Sequence, residues 1–167
     1  MSDKMSKLNK FIKVKNPKTI IFDLDGTLAD ITQRRVAAIN MGGGKIDWDF
    51  FFDPSNVALD APNMPVITTA QTFKKQGFKI FIFSGRLDNS KDVTINWLKH
   101  WNVPFDKLQM RPNNKKDKFT PDDVLKQNWL NDLDKKDILC VFDDRQKVVD
   151  MWRANGISCF QVAPGNF

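Results

Sequence analysis

The stretch IIFDLDGTLAD, residues 20–30, joins an apolar run to two acidic residues spaced by one position. Residues 19–25 are apolar and rich in β-branched side chains without a helical period, which predicts a strand buried on both faces. Because side chains along a strand alternate between its faces, Asp23 and Asp25 are expected to point to the same side. Gly26 permits a tight turn directly after them.

Apolar strands and helical segments alternate along the rest of the chain. We expect helices at residues 30–40, 64–76, 88–101, from Thr120 onward and at 145–155, and strands at 78–84, 137–143, 157–163 and, more weakly, 105–110. This alternation predicts an α/β fold, a Rossmann-like parallel sheet with helices on both faces. Residues 30–64 are predicted to form a small cap insert, and residues 1–18 a basic N-terminal arm.

Three of the predicted strands end in conspicuous polar groups. These endings are Asp23-x-Asp25, Ser84-Gly85-Arg86 and Asp143-Asp144-Arg145. In parallel sheets ligands bind beyond the carboxyl ends of the strands, so the three endings should converge. Four carboxylates in one crevice favour a bound cation, and oxygen ligands without a His or Cys cluster favour Mg²⁺. Because Mg²⁺ often shares its ligands with a phosphate, the site predicts a phosphorylated substrate.

These motifs resemble the haloacid dehalogenase (HAD) superfamily of phosphotransferases, with a small cap. Asp23-Leu24-Asp25-Gly26-Thr27 matches its first motif, Ser84 its second, Lys126 its third and Asp143-Asp144 its fourth. Within the superfamily, residues 122–126 and 142–167 are similar to the phosphatase domains of phage-type polynucleotide kinase–phosphatases, which remove 3′-phosphates from nucleic acid ends.

The resemblance implies a set of roles for the matching residues. Asp23 would be the nucleophile that forms an aspartyl-phosphate, Asp25 the general acid and base, and Lys126 the group that neutralises the transferring phosphoryl. Metal ligands would come from Asp23, Asp25, Asp143 and Asp144, and substrate contacts from Thr27, Arg34, Ser84, Gly85, Arg86 and Asp122, the last also orienting Lys126. Lys118 is the alternative third-motif lysine.

Two features of the site's rim stay open at this stage. Trp48 and Phe50–Phe52 can stack on bases or pack the cap onto the core. Arg111 and the lysines of residues 112–119 can follow a nucleic acid strand or belong to a solvated loop. The resemblance implies that the substrate is a nucleic acid 3′-phosphate end, of DNA or RNA; small phosphates such as nucleoside monophosphates are the alternative.

The composition predicts a soluble intracellular protein. The 167 residues carry a net charge of +6, two cysteines inside apolar runs, and no stretch apolar enough to span a membrane. We expect a cytoplasmic protein of phage-like type. The nucleotide-binding pattern G-x-x-x-x-G-K-[ST] does not occur, so we expect phosphatase activity without kinase activity. A phospho-accepting receiver is the non-enzymatic alternative, although its acidic motifs come in a different order. The oligomeric state does not follow from the sequence.

Overall fold

The computed structural model describes residues 18–165 of the chain. Five parallel strands form the central sheet in the order β5-β4-β1-β6-β7. Their bounds are β1 Thr19–Asp23, β4 Lys79–Leu87, β5 Lys107–Arg111, β6 Ile138–Arg145 and β7 Cys159–Gly165. The strand β1 is therefore central, with β4 and β6 as its parallel neighbours.

Helices cover both faces of this sheet. The four longer helices that follow the insert are α4 Met64–Lys75, α5 Lys91–His100, α6 Asp122–Asn131 and α7 Gln146–Ala154. Ile20 and Phe22 of β1 pack into a core cluster with residues of α4 and α5, whereas Ile21 packs into a second cluster with residues of α6 and α7. Alternate residues of one strand thus bury against different layers, which confirms the predicted α/β sheet with helices on both faces.

An insert of mostly short elements lies between β1 and α4. It contains the two-residue strands β2 Ala29–Asp30 and β3 Ala61–Pro62, paired antiparallel, and the helices α1 Thr32–Met41, α2 Trp48–Phe51 and α3 Pro54–Val57. Acidic side chains begin the two shortest helices, since Asp47 accepts a hydrogen bond from the amide of Phe50 and Asp53 from that of Ser55. The insert occupies nearly the same residues as the predicted cap, 30–64. That it forms a cap over the site stays a prediction.

Most predicted elements are present, with shifted ends. The strand β4 continues to Leu87 and β6 to Arg145, further than the apolar runs indicated, because each keeps a neighbouring strand after a shift in register. The predicted N-terminal arm lies outside the described residues except for Lys18. Among the described residues, no helix is long and apolar enough to cross a membrane.

Candidate active site

Three buried aspartates meet at the carboxyl ends of β1 and β6. Asp23, Asp143 and Asp144 each offer a carboxylate oxygen, and these atoms all lie within 4.8 Å of one another. The two strands are hydrogen-bonded neighbours in the sheet, which brings residues 120 positions apart in sequence to the same place. The first and last acidic motifs, Asp23 and Asp143-Asp144, therefore meet in the structure as predicted.

Lys126 projects from α6 into this group of carboxylates. Its Nζ lies 2.6 Å from Asp23 Oδ1 and 2.8 Å from Asp143 Oδ2, and its side chain is buried. Although burial works against it, the facing charges of Asp143 and Asp23 raise the pKa of Lys126 above its usual value, so it stays an ammonium. Lys118 is exposed, with its ammonium 5.7 Å from the Phe119 ring, so Lys126 and not Lys118 occupies the central position.

The charges of the site are unbalanced. If all three aspartates are ionised, their carboxylates and the one ammonium carry a net charge of −2 in a buried place. Burial and the neighbouring Asp143 raise the pKa of Asp144 to about 6, and burial also raises the pKa of Asp23 despite the opposing charge of Lys126. A donor set of hard oxygen atoms with an excess of two negative charges fits Mg²⁺.

A glycine makes room for this acidic group. Gly26 follows the β1 motif with a φ of +88°, and its amide donates to the carbonyl of Ala29. A Cβ atom at this position would lie 2.2 Å from Asp144 Oδ2. The tight turn predicted from the sequence thus has a second purpose, since it lets the backbone approach a carboxylate of the site.

Asp25 follows Asp23 at the end of the same strand, but its carboxylate binds two arginines. Its Oδ1 accepts hydrogen bonds from Arg34 at 2.9 Å and from Arg86 at 2.6 Å. Burial would raise the pKa of Asp25, but the two guanidinium groups outweigh it and lower the pKa to about 2. The arginines hold the Asp25 carboxylate outside the group formed by the other three aspartates, and the role of Asp25 as a metal ligand stays a prediction.

Asp60 is a member of this arrangement that the sequence analysis missed. Its side chain is 1% exposed, and its carboxylate accepts from Arg34 Nε at 2.9 Å and from an Arg86 terminal nitrogen at 2.7 Å. The two arginines are thus shared between Asp25 and Asp60, and both are themselves buried. Asp60 lies in the weakly patterned insert, 26 residues from each arginine, so no local signal identified it.

Several residues predicted to contact substrate are buried and do not line the cavity of the site. A cavity of about 680 Å³ is lined by Asp23, Asp25, Gly85, Asp122, Lys126, Asp143 and Asp144 among others, and Thr27, Arg34, Ser84 and Arg86 are not among its lining residues. Asp25, Asp60 and the carbonyl of Phe51 accept hydrogen bonds from the two arginines, so contact of these arginines with phosphate stays a prediction. Ser84 accepts from the amide of Arg86, and Thr27 is fully buried with its amide directed to Leu24.

Asp122 lines the cavity but does not directly bind Lys126. It pairs with Arg111 and Arg145, and its charge reaches Lys126 only through space. Arg111 also lines the cavity, but it is buried and donates to the carbonyls of Gly85, Asp117 and Thr120, so it is not part of a solvated loop; its contact with a nucleic acid strand stays untested.

A protein-family model and a viral protein match this sequence. The family model described as "Polynucleotide kinase PNKP phosphatase domain" matches residues 17–167. A protein of Autographa californica nuclear polyhedrosis virus, named "Putative bifunctional polynucleotide kinase/RNA ligase", is 32% identical over an alignment of 160 residues; the match covers 86% of this chain and 20% of that protein.

Solved structures resemble the fold closely. The Pnkp1/Rnl/Hen1 RNA repair complex contains a chain that matches with a TM-score of 0.73 and 29% identity, over 93% of this chain and 45% of that one. The class C acid phosphatase from Bacillus anthracis matches with a TM-score of 0.65 and 18% identity, over 98% of this chain and 73% of that one. This chain therefore spans about a fifth of the viral relative and just under half of the chain from the repair complex. It is an enzyme of the HAD phosphatase fold, and it belongs to the family of polynucleotide kinase–phosphatase (PNKP) phosphatase domains.

Proposed function

We propose that this protein is a Mg²⁺-dependent phosphomonoesterase that removes 3′-phosphates from nucleic acid ends through an aspartyl-phosphate on Asp23. One observation carries the proposal: Asp23 lines the cavity, its Oδ1 lies 2.6 Å from Lys126 Nζ, and it offers a carboxylate oxygen within 4.8 Å of those of Asp143 and Asp144. A nucleophile, a buried cation and a site for a divalent metal are the parts that phosphoryl transfer needs.

Asp23, Asp143 and Asp144 would hold the metal ion. Bound there, Mg²⁺ supplies positive charge to the phosphate oxygens and lets several buried carboxylates remain ionised together. Asp23 would then be a carboxylate at neutral pH, in spite of its raised pKa in the metal-free protein.

The first chemical step forms a bond between Asp23 and phosphorus. A carboxylate oxygen attacks the phosphate, the bond from phosphorus to the 3′-oxygen of the sugar breaks, and Asp25 gives its proton to that leaving oxygen. Lys126 stabilises the charge on the transferring group. Since the arginines hold the pKa of Asp25 at about 2, Asp25 must gain this proton when the doubly charged phosphate enters and raises its pKa.

The second step regenerates the enzyme. Asp25, now a carboxylate, takes a proton from water while the water oxygen attacks phosphorus and the bond to Asp23 breaks. Inorganic phosphate leaves, and Asp25 again carries a proton. Once the phosphate has left, Arg34 and Arg86 again hold the pKa of Asp25 at about 2, and Asp25 releases this proton to the solvent.

The substrate class rests on the relatives and on charge. The printed names of the relatives refer to a polynucleotide kinase, an RNA ligase and an RNA repair complex. The net charge of +6 supports binding to a polyanion. We therefore propose nucleic acid repair as the setting, inside cells, where both buried cysteines would stay free thiols.

Rates on matched substrates test the proposed function. An oligonucleotide with a 3′-phosphate should be hydrolysed in Mg²⁺ and not in EDTA, with a higher kcat/KM than its 5′-phosphorylated counterpart or a 3′-mononucleotide, and Asp23→Asn should be inactive while still folded. If the mononucleotide is as good a substrate and salt has no effect, the protein is a phosphatase of small phosphates instead.

A further inference from the structure

Two exposed aromatic side chains line the same cavity as the catalytic aspartates. Trp48 of α2 is 53% exposed and Phe119, in the loop before α6, is 83% exposed. Exposed aromatic side chains that line a cavity are typical of ligand-binding surfaces. Residues of the insert line the cavity together with residues of that loop, so the opening has an aromatic side chain on each of these two segments.

The indole of Trp48 is held in place by its neighbours. It stacks on Phe52 with ring centroids 5.7 Å apart and planes 18° apart, and it meets Phe51 edge to face at 5.6 Å. Phe51 is buried, and the guanidinium of Arg34 lies 4.2 Å from its ring centroid. Phe51 is therefore buried in the aromatic cluster, whereas Trp48 lines the cavity and is half exposed.

Hydrogen bonds to the Arg111 and Asn114 side chains hold the loop that carries Phe119. Arg111 donates to the carbonyls of Asp117 and Thr120, which lie on either side of Phe119. The amides of Lys116 and Asp117 donate to the Asn114 side chain. Phe119 therefore lies on a hydrogen-bonded turn. The Lys118 ammonium lies 5.7 Å from the centroid of its ring.

We infer that Trp48 and Phe119 bind the base of the 3′-terminal nucleotide by stacking, while its phosphate lies on Asp23. This inference rests on the proposed function and deepens it, since it makes an unpaired terminal base part of what the enzyme recognises. Stacking accepts any base because every base has a π-face, so we expect little preference among the four. Asp49 and Asp53 of the insert also line the cavity, and their negative charges repel phosphate. We therefore expect the backbone phosphates of the preceding nucleotides to lie near Lys118, on the other segment.

The test compares two oligonucleotides that differ only in the terminal nucleotide. One carries a normal base and the other an abasic sugar, both with a 3′-phosphate. Stacking on an aromatic side chain changes affinity by about 5- to 150-fold per base, so the wild-type protein should prefer the base-bearing end at least fivefold in kcat/KM. The double variant Trp48→Ala/Phe119→Ala should lose that preference, and Trp48→Phe should keep most of it.

Phe160 provides a matched control. It is 55% exposed on β7 and is not among the residues that line the cavity, so Phe160→Ala should keep the wild-type preference. Equal rates on the two ends, or a preference that survives the double variant, would overturn the stacking inference alone. Hydrolysis of p-nitrophenyl phosphate without hydrolysis of either oligonucleotide would overturn the proposed function, and this inference with it.

Discussion

Magnesium should bind this protein more weakly at pH 5 than at pH 7, and the difference can be worked out from Asp144. Burial and the charge of Asp143 raise the pKa of Asp144 to about 6, so the metal-free folded protein holds a proton there at pH 5. The metal needs the carboxylate and must displace that proton. One pH unit below the pKa, the displacement costs about 1.4 kcal/mol, or tenfold in affinity.

The raised pKa of Asp23 adds an effect of the same sign, so tenfold is a lower limit. At saturating Mg²⁺ the melting temperature should rise by about 3–6 °C less at pH 5 than at pH 7, relative to EDTA, for a domain of this size. In EDTA alone, these groups should make the folded state less stable as the pH rises from about 4 to about 6, because the folded protein binds the Asp144 proton more tightly than the unfolded chain does.

Calorimetric titration with Mg²⁺ at both pH values measures this directly. Asp144→Asn should weaken binding and reduce the pH dependence, whereas Asp150→Asn, an exposed substitution on α7, should change neither. Equal affinities at pH 5 and pH 7, or an undiminished pH dependence in Asp144→Asn, would refute the reasoning.

Three further outcomes are expected. Lys126→Met should lower kcat by about 10²- to 10³-fold, since the transferring phosphoryl loses a buried cation, with circular dichroism showing that the fold survives; a change below tenfold would contradict this role. Gly26→Ala should weaken Mg²⁺ binding by about 10- to 100-fold, because the new methyl group collides with Asp144, whereas Gly77→Ala, with a similar φ of +93° but open space, should leave binding unchanged. Both cysteine thiols, whose pKa values burial raises to about 11 and about 12, should react slowly with a thiol reagent until the protein is unfolded; fast reaction of the folded protein would show that they are accessible.

The sheet and the acidic centre were predictable because their signals are local. Each apolar run ends where its polar motif begins, and parallel strands bring those ends to one edge. Asp23, Asp143 and Asp144 follow from this rule alone. The placement of Lys126 against Asp23 needed the family resemblance as well, because a lysine four residues after an aspartate on a helix is common on protein surfaces.

The partners of the two arginines were not predictable from the sequence. Arg34 and Arg86 look like phosphate ligands when read as isolated cations near acidic motifs. The structure pairs them with Asp25 and Asp60, and those contacts span from 9 to 61 positions in the chain. Only the folded insert brings Asp60 to them, and its short helices leave little periodic pattern to read.

Trapping of the phosphorylated enzyme tests the central claim most directly. Protein mixed with an oligonucleotide carrying a labelled 3′-phosphate and quenched in acid should contain the label in the peptide that includes Asp23. Asp23→Asn should show neither label nor turnover. Turnover that persists in Asp23→Asn, or a label on another residue, would contradict the assignment of Asp23 as the nucleophile.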